Sequence, residues 1–397
     1  MNILGITNFY SSLDPLCPQA IQKPAEILIK KGCIIEVISP IPYSNSVIEL
    51  FNNKWKEVSC LPRQREVSGI KVFHPKYLEI PKNILKGSAG LRYYSGIMQS
   101  SLLDSEMKYD IIHAHMCYPD GYAAMKLSRK QNIPYIVTVR GTDLITFHNF
   151  PSIRKTILKI LNNASKVIFP SYRIAREFDK FFSKKNTEVI TNAINIEEFE
   201  ALPACSPCKL NNRVTIVSVA NLIENKGIDI NLMAIAKLIN THQNIHYLIL
   251  GDGSDRKRLE ELVVELKIDN YVTFIGKVDH NKALRYINEC DIFSLPSWKE
   301  TFGLVYLEAM YLKKPIIATF NDGIDGTAID KVHGLFAHEQ NVDEVVEALN
   351  KLINSSELRN EMGFKGHQEV LKNYTWDRHA EKIFNVYNNV KNEYRRI

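Results

Sequence analysis

The sequence predicts an α/β protein with two doubly wound parallel sheets that face each other across a cleft. In each half, short apolar runs of strand length alternate with segments whose apolar residues follow helical spacing. This alternation is typical of parallel sheets with helices on both faces. A stretch of little periodicity, "EEFEALPACSPCKLNN", separates the halves. Ligands bind outside the carboxyl ends of the strands in such sheets, so we expect those ends to line the cleft.

The same order of elements occurs in both halves. The first half has the strand-like runs "NILGIT", "IIEVIS", "DIIHAH", "YIVTV" and "KVIFPS", with the helical patterns "GYAAMKLSRKQN" and "SIRKTILKILNNA" between the later ones. The second half has "TIVSVA", "HYLILG", "YVTFIG", "DIFSLP" and "PIIAT", separated by helical stretches such as "DRKRLEELVVELK". Two domains of similar plan are therefore expected.

Composition agrees with two globular domains and limits the location. The sequence is 45% apolar and 24% charged, which is an ordinary globular composition. Its 397 residues are too many for a single hydrophobic core. No apolar run approaches the ~20 residues that cross a bilayer, and "MNILGITNFY" reads as a first strand rather than a signal peptide. Seven scattered cysteines indicate reduced thiols in a cytoplasm. The single "CSPC", Cys205 to Cys208, is interpreted as linker, since no second pair completes a zinc site.

The positive charge is concentrated in the first half of the chain. Residues 1–200 hold 26 Lys and Arg against 18 Asp and Glu, a net charge of +8, whereas residues 201–397 hold 24 against 26, a net charge of −2. Nucleic acid and an anionic membrane surface both attract such a half. No helix-turn-helix, zinc-finger or stacked-aromatic signature accompanies the charge, so we predict no nucleic-acid partner. The sequence favours peripheral contact with an anionic membrane, at its inner face.

One apolar helix carries an isolated acidic residue. Nearly every residue from Leu304 to Leu312 is apolar, yet Glu308 lies in the middle of the run, and an unpaired carboxylate is costly to bury. Gly303 permits a tight entry into this helix, whose first amides form an anion site. Glu308 and Glu300 could then accept hydrogen bonds from the hydroxyls of a sugar nucleotide. In the alternative reading, Glu308 pairs with a basic core residue and Glu300 is only solvated.

The run "LPSWKETFGLVYLEAM" resembles the E-x7-E motif of retaining glycosyltransferases of family 4, which have the GT-B fold. "NLIENKGID", "LILGDGSDRKRLEELV" and "VTFIGKV" resemble parts of that family's donor-binding domain. "YDIIHAH" and "TVRGTD" resemble its N-domain cleft loops, and "YTWDRHAEKIFNVY" its closing helix. The resemblance implies an acceptor-binding domain over residues 1–195, to which a helix over about 376–397 returns, and a donor-binding domain over residues 212–375.

The resemblance also implies the roles of donor-site residues. Glu308 accepts hydrogen bonds from the donor ribose, Glu300 contacts the transferred sugar, and Lys226 neutralises the diphosphate. Asn221 stands where family members commonly carry an arginine, so one cation on the leaving phosphate is absent or supplied elsewhere. The remaining donor-binding residues act through their backbone and are Gly276, Lys277 and Val278 at the base and Phe302, Gly303 and Leu304 at the sugar and its phosphates.

In the first domain, His115 and Arg140 end two strands, with Asp143 just beyond. The resemblance places His115 near the sugar and its departing phosphate, and Arg140 and Asp143 at the acceptor side. His113 lies on a buried strand, and we predict a hydrogen-bonded core role for it. The loop "YSSLDPLCPQA" replaces the Gly-Gly loop of many members, so the backbone there is less free to approach donor phosphates.

The sequence therefore predicts a retaining, hexosyltransferase-type enzyme that moves a sugar from a nucleotide diphosphate sugar to an acceptor hydroxyl. The catalytic residues are Glu300, His115 and Lys226, and the acceptor is a glycan or lipid-linked glycan of bacterial surface polysaccharide or glycolipid assembly. We expect no cofactor and no metal, because no ligand cluster accompanies the motifs. Two alternatives remain open: a nucleotide-sugar epimerase on the same fold, and a degenerate GT-B scaffold. The presence of Lys226, Glu300 and Glu308 argues against the scaffold, whereas Asn221 keeps it open.

Overall fold

The computed structural model describes residues 1–11, 19–43, 58, 61–79, 86–100, 108–181, 186–200 and 213–395. Most of the loop "YSSLDPLCPQA" and the Cys205 to Cys208 pair lie outside these ranges. None of the helices in the described ranges is long and apolar enough to cross a membrane.

The chain divides into two compact units, each with its own parallel sheet. The first unit comprises Met1–Pro170, Ile174–Ile190 and His379–Ile397. The second comprises Ser171–Arg173 and Thr191–Arg378. The prediction of two doubly wound α/β halves is therefore confirmed.

The strands of the first unit are β1 (Asn2–Ile6), β2 (Ile34–Ile38), β3 (Ile41–Pro42), β4 (Gln64–Val67), β5 (Ile70–Phe73), β6 (Lys76–Tyr77), β7 (Ile111–Ala114), β8 (Tyr135–Thr138), β9 (Lys166–Phe169) and β10 (Thr187–Val189). Eight of them form one sheet in the order β10-β9-β8-β7-β1-β2-β5-β4, and β3 pairs with β6 in a short ribbon. Within the sheet, only the edge strand β4 is antiparallel to its neighbour. Strands β7 and β8 are buried along their whole length, as expected for parallel strands covered on both faces.

The helices of the first unit cover both faces of its sheet. Alternate residues of β1 and β7 belong to two separate apolar clusters, so each cluster packs on one face. One cluster includes buried side chains of the last helix of the chain. The helices are α1 (Gln19–Lys30), α2 (Ala89–Ile97), α3 (Tyr122–Gln131), α4 (Gly141–Asn149), α5 (Pro151–Asn163) and α6 (Tyr172–Asp179), the last of which begins in the second unit.

The second unit contains a six-stranded sheet in which every neighbouring pair is parallel. Its strands are β11 (Val214–Val219), β12 (Ile245–Leu250), β13 (Val272–Gly276), β14 (Ile292–Ser294), β15 (Ile316–Thr319) and β16 (Gly334–Ala337). Their order is β13-β12-β11-β14-β15-β16. All six residues of β12 are buried, which matches its apolar sequence "IHYLIL".

Polar caps mark where several helices of the second unit begin. The side chain of Asp279 accepts a hydrogen bond from the amide of Lys282 at 2.8 Å, and Ser355 accepts one from Leu358 at 3.0 Å. The helices are α7 (Glu197–Glu200), α8 (Ile228–Leu238), α9 (Arg256–Glu265), α10 (His280–Glu289), α11 (Leu304–Tyr311), α12 (Val342–Asn354), α13 (Ser356–Asn373) and α14 (Trp376–Tyr394), which continues into the first unit.

Candidate active site

Loops at the carboxyl ends of the second sheet are tied together by backbone hydrogen bonds. After β12, the amide of Gly251 donates to the carbonyl of Gly276 at the end of β13, at 2.9 Å. After β14, the amide of Trp298 donates to the carbonyl of Asn225, in the turn that follows β11, also at 2.9 Å. These bonds join the loops after four strands in two pairs along this edge, which is where ligands bind in such sheets.

Lys226 ends the 3₁₀ turn Glu224–Lys226, and a close backbone contact fixes this turn. Gly227 has φ of 66°, and a Cβ atom there would lie 2.2 Å from the carbonyl oxygen of Pro296. Only glycine fits both the conformation and the space. The turn places the ammonium of Lys226 against the carboxylate of Glu300, with which it forms an ion pair. The structure thus brings together two predicted site residues that are 74 positions apart in the chain.

A second carboxylate, which the sequence analysis missed, holds the loop of Glu300. Both oxygens of Asp322 accept the amide of Glu300, at 3.0 and 3.1 Å. Arg173 bonds Asp322 through its Nε at 3.2 Å and donates to the carbonyl of Glu300, also at 3.2 Å. Burial raises the pKa of Asp322 to about 6, against the lowering effects of the Glu300 amide and Arg173. Asp322 follows the carboxyl end of β15, which is the signal that could have identified it.

The entry to α11 depends on a left-handed glycine, as the sequence predicts. Gly303 precedes the helix with φ of 82°, and a Cβ atom there would lie 2.6 Å from the ring of Tyr306. Phe302 is buried, whereas Leu304, the first helical residue, is 40% exposed. The first amides of a helix have no acceptor within it, so this end of α11 is suited to bind an anion.

Glu308 lies on the second turn of α11, and its side chain is 14% exposed. Among the described residues its nearest basic side chain is His280, whose Nε2 is 4.0 Å from Oε1 of Glu308. The same Nε2 is 3.2 Å from Oε2 of Glu198, so the imidazole lies between two carboxylates. Burial raises the pKa of Glu308 to about 7; the charge of His280 lowers it and that of Glu198 raises it. Sequence spacing indicated neither neighbour.

The residues predicted to frame the base lie at the end of β13. Gly276 has φ of 81°, which turns the chain sharply. Lys277 is exposed and Val278 half-buried, so backbone of this turn is accessible. Asn221, after β11, is exposed, and its carbonyl accepts the amide of Ile223 at 2.9 Å. The roles predicted for these four residues in donor binding remain predictions.

The predicted acceptor-side residues of the first unit are joined by Asp143. Its carboxylate, 1% exposed, accepts the amides of Arg140 at 2.8 Å, Cys117 at 3.0 Å and Tyr118 at 3.4 Å. These bonds link the loop after β7 to the start of α4. Burial raises the pKa of Asp143 to about 6, although the three amides oppose the shift. Asp143 thus fixes the shape of two loops, and its role at the acceptor side remains a prediction.

His113 lies on β7 and His115 directly follows the strand, and the two side chains have different environments. Arg140 donates from Nε to the carbonyl of His115 at 3.3 Å. The Nδ1 atom of His115 is buried and has no hydrogen-bond partner among the described residues. Burial, with the charges of His113 and Arg140, lowers the pKa of His115 well below its ordinary value. The predicted core role of His113 is confirmed, since its ring bonds Tyr387 at 2.7 Å and Thr138 at 2.8 Å.

Two family models match successive parts of the chain. The model "Glycosyltransferase Family 4" matches residues 57–198, and "Glycosyl transferases group 1" matches residues 208–369. The chain is a glycosyltransferase of the family 4 type. The second match contains the Lys226–Glu300 pair and Glu308, and the first contains His115, Arg140 and Asp143.

Curated relatives extend over most of this glycosyltransferase. An uncharacterised glycosyltransferase of Methanocaldococcus jannaschii is 28% identical over 76% of this chain and 82% of its own length. The glycosyltransferase TuaC of Bacillus subtilis, which is named for teichuronic acid biosynthesis, is 24% identical over 98% of this chain and 99% of its own length. The alpha-monoglucosyldiacylglycerol synthase of Acholeplasma laidlawii is 25% identical over 68% and 72%.

Solved structures confirm the GT-B fold of this family 4-type glycosyltransferase. Sucrose-phosphate synthase from Thermosynechococcus elongatus superimposes with a TM-score of 0.72 at 20% identity, over 98% of this chain and 99% of that one. Anabaena HepE in complex with UDP and glucose superimposes with a TM-score of 0.68 at 16% identity, over 98% and 100%.

Among the described residues of this chain, no group of three His, Cys, Asp or Glu side chains could hold a metal ion.

Proposed function

We propose that this glycosyltransferase transfers a hexose from a nucleotide diphosphate sugar to an acceptor hydroxyl, with retention of the anomeric configuration and without a metal ion. One observation carries the proposal: Lys226, Glu300 and the start of α11 meet at the carboxyl edge of the second sheet. A cation beside a helix N-terminus is suited to a diphosphate, and neighbouring carboxylates are suited to sugar hydroxyls.

The donor is held by groups with distinct tasks. Lys226 and the amides from Phe302 to Leu304 bind the diphosphate, where negative charge grows as the sugar departs. Glu308 accepts the two ribose hydroxyls, and Glu300 accepts hydroxyls of the sugar. The backbone of Gly276 to Val278 frames the base, and Asn221 supplies a neutral amide beside the phosphates. In the donor complex, the phosphate contacts Lys226 and the sugar contacts Glu300, so the donor binds to both members of the ion pair.

Transfer proceeds by attack of the acceptor on the face from which the diphosphate leaves. The bond from the anomeric carbon to the diphosphate oxygen breaks, and a bond to the acceptor oxygen forms on the same face. The acceptor proton passes to an oxygen of the leaving diphosphate, so no protein nucleophile is required. The protein contributes positioning and charge stabilisation. We assign His115 to the sugar and its leaving phosphate, and Arg140 and Asp143 to the acceptor side.

The acceptor is proposed to be a glycan or a lipid-linked glycan in surface polysaccharide or glycolipid assembly at the cytoplasmic face of the membrane. The names of the Bacillus and Acholeplasma relatives support this class of acceptor. The net charge of +8 over residues 1–200 favours an anionic surface. Exposed apolar side chains add to the attraction to a membrane, since Leu78 is 60% and Leu91 55% exposed. Arg92, next to Leu91, donates to the carbonyl of Leu78 at 2.8 Å.

The test is a screen of purified protein against a panel of nucleotide sugars, first by thermal stabilisation and then by transfer to lipid-linked glycans. We expect one donor to stabilise the protein, and transfer from it to continue in the presence of EDTA. Proton NMR of the product must show the donor's anomeric configuration. An inverted product or loss of transfer with EDTA contradicts the mechanism. Release of a free epimer from the donor alone would identify an epimerase. Failure to bind any nucleotide diphosphate would identify a catalytically degenerate scaffold.

A further inference from the structure

The first unit contains a cavity of about 360 Å³ that none of the predicted site residues lines. It opens beside the carboxyl end of β5, near the β3–β6 ribbon and the residues that follow α2. Cavities of about 300–1,000 Å³ are typical of small-molecule sites. The polar side chains that line it are Tyr43, Arg63, His74, Lys76, Gln99 and Ser100.

His74 is a buried residue of the cavity lining, and its hydrogen bonds fix which nitrogen carries the proton. The side chain is 1% exposed, and Nδ1 lies 2.9 Å from the carbonyl oxygen of Ser39. A carbonyl oxygen only accepts, so Nδ1 carries the proton and Nε2 of the neutral ring is an acceptor. Nε2 is buried and has no hydrogen-bond partner among the described residues. Leaving such an atom unpaired is unfavourable, and a hydrogen bond from a ligand hydroxyl would satisfy it.

The neutral state of His74 restricts what can bind to Nε2. Burial lowers the pKa of His74 to about 4, opposed by the bond to Ser39 and assisted by the charge of Arg65. The ring is therefore neutral near pH 7, where Nε2 accepts a hydrogen bond but donates none. A fully ionised phosphate oxygen has no proton to offer, whereas an alcohol does.

Two cations stand at the rim of the same cavity. Arg63 and Lys76 are both exposed, and neither pairs with a carboxylate among the described residues. The ammonium of Lys76 lies 5.9 Å from the centre of the Tyr43 ring, which positions it without neutralising it. The backbone amide of His74 donates to the carbonyl of Arg63 at 2.8 Å, so the backbone connects the cationic rim directly to the buried acceptor.

We propose that this cavity binds a phosphorylated polyol, with the phosphate at Arg63 and Lys76 and a hydroxyl donating to Nε2 of His74. An anion alone would satisfy the rim and leave the buried acceptor unpaired; a neutral sugar would do the reverse. The proposal concerns the first unit only and is independent of the donor site that contains Lys226.

The test is calorimetric titration of the full chain with glycerol 3-phosphate, inorganic phosphate and glycerol. Lys226→Ala is titrated in parallel, because the donor site also attracts phosphate. We expect glycerol 3-phosphate to bind more tightly than the other two probes and to bind Lys226→Ala equally well. Arg63→Gln and Lys76→Gln should each weaken it about tenfold, the value of one charged hydrogen bond. The matched control is Lys126→Gln, since Lys126 lies 5.8 Å above the Tyr122 ring in the same unit; it should change nothing.

His74→Asn tests the buried acceptor. It keeps a donor for the Ser39 carbonyl but removes Nε2, so glycerol 3-phosphate should bind no better than inorganic phosphate. Vesicles of equal charge that contain phosphatidylglycerol or phosphatidylserine distinguish a lipid headgroup from a soluble ligand. A preference for phosphatidylglycerol that is lost in His74→Asn indicates a headgroup. Equal binding to both kinds of vesicle indicates a soluble ligand. Unchanged affinity in Arg63→Gln and Lys76→Gln, abolished binding in Lys226→Ala, or wild-type selectivity in a folded His74→Asn would overturn the proposal.

Discussion

Glu308 is an ionisable group whose two charged neighbours pull its pKa in opposite directions. The carboxylate is the form that accepts two ribose hydroxyls, and its pKa is about 7 because of burial. Nucleotide diphosphate affinity should therefore rise as pH increases through about 7 and fall below it, by at most about tenfold per pH unit. Calorimetric titrations between about pH 5.5 and pH 8.5 measure this, and Glu308→Gln is the control, because it must flatten the profile.

The neighbours of Glu308 provide a paired test of the same profile. The charge of His280 lowers the pKa of Glu308, so His280→Gln should move the midpoint to higher pH. The charge of Glu198 raises that pKa, so Glu198→Gln should move the midpoint to lower pH. A purely structural role for His280 would change the melting temperature and leave the midpoint in place. Shifts of both variants in the same direction would refute the electrostatic account.

Substitutions of the two glutamates should separate nucleotide binding from sugar transfer. Glu308→Gln replaces one acceptor by a donor facing a hydroxyl, and a charged hydrogen bond contributes about 1.5–3 kcal/mol, so affinity should fall by one to two decades. Because burial raises the pKa of Glu308, the folded state loses stability as the pH rises above the ordinary pKa of a glutamate and the side chain ionises. Near pH 8, Glu308→Gln should therefore melt no lower than wild type. Glu300→Gln should reduce turnover more than nucleotide diphosphate affinity. Low melting with normal binding in Glu308→Gln would make Glu308 structural.

Lys226 and Asn221 should differ sharply in their contribution to turnover. Negative charge on the leaving diphosphate is greatest in the transition state, so Lys226→Ala should lose about a hundredfold or more in kcat. Asn221→Ala removes a neutral amide and should lose about tenfold at most. Steady-state kinetics of both variants with the donor found in the screen give the comparison. Equal losses would mean that Lys226 is not the main cation at the diphosphate.

At the scale of the element, the turn before α8 fixes the position of Lys226. Gly227→Ala places a Cβ atom 2.2 Å from the carbonyl oxygen of Pro296, so the turn must shift. We expect a stability loss of about 1–3 kcal/mol and weaker nucleotide diphosphate binding. Gly32→Ala is the control: φ there is also positive, at 86°, but no heavy atom lies within 4 Å of the added Cβ. Denaturant unfolding and calorimetry of both variants must give weaker binding only in Gly227→Ala.

The elements most easily predicted were those buried in parallel sheets. Strands β1, β2, β7, β8, β9 and β11 to β15 are mostly apolar runs, and their sequence reveals them. Strand β4, "QREV", escaped prediction because it is an exposed edge strand without an apolar run. Glu300, Gly303 and Glu308 were identified by one local motif. Asp322 and His280 were not, because their roles arise from contacts between loops that are distant in sequence.

At the scale of the whole molecule, charge and exposed apolar groups predict a membrane-bound fraction. Each basic residue near an anionic surface contributes about 1 kcal/mol, screened by salt. The protein should therefore co-sediment with anionic vesicles at low salt, less at high salt, and not with neutral vesicles. Leu91→Ser should reduce the bound fraction, whereas Val264→Ser, at a residue 65% exposed in the second unit, should not. Failure to sediment with anionic vesicles at low salt excludes the membrane contact.

The last helix, α14, has a consequence for the order in which the chain folds during synthesis. Its buried side chains complete one apolar cluster of the first unit, although they are synthesised after the whole of the second unit. The second unit ends at Arg378 and contains no later residue. Domains usually fold in the order in which they are translated. Here the first unit starts synthesis first but receives its last core residues after the second unit is complete, so its core is the later of the two to be completed; these residues are Ala380, Ile383, Val386, Tyr387 and Val390.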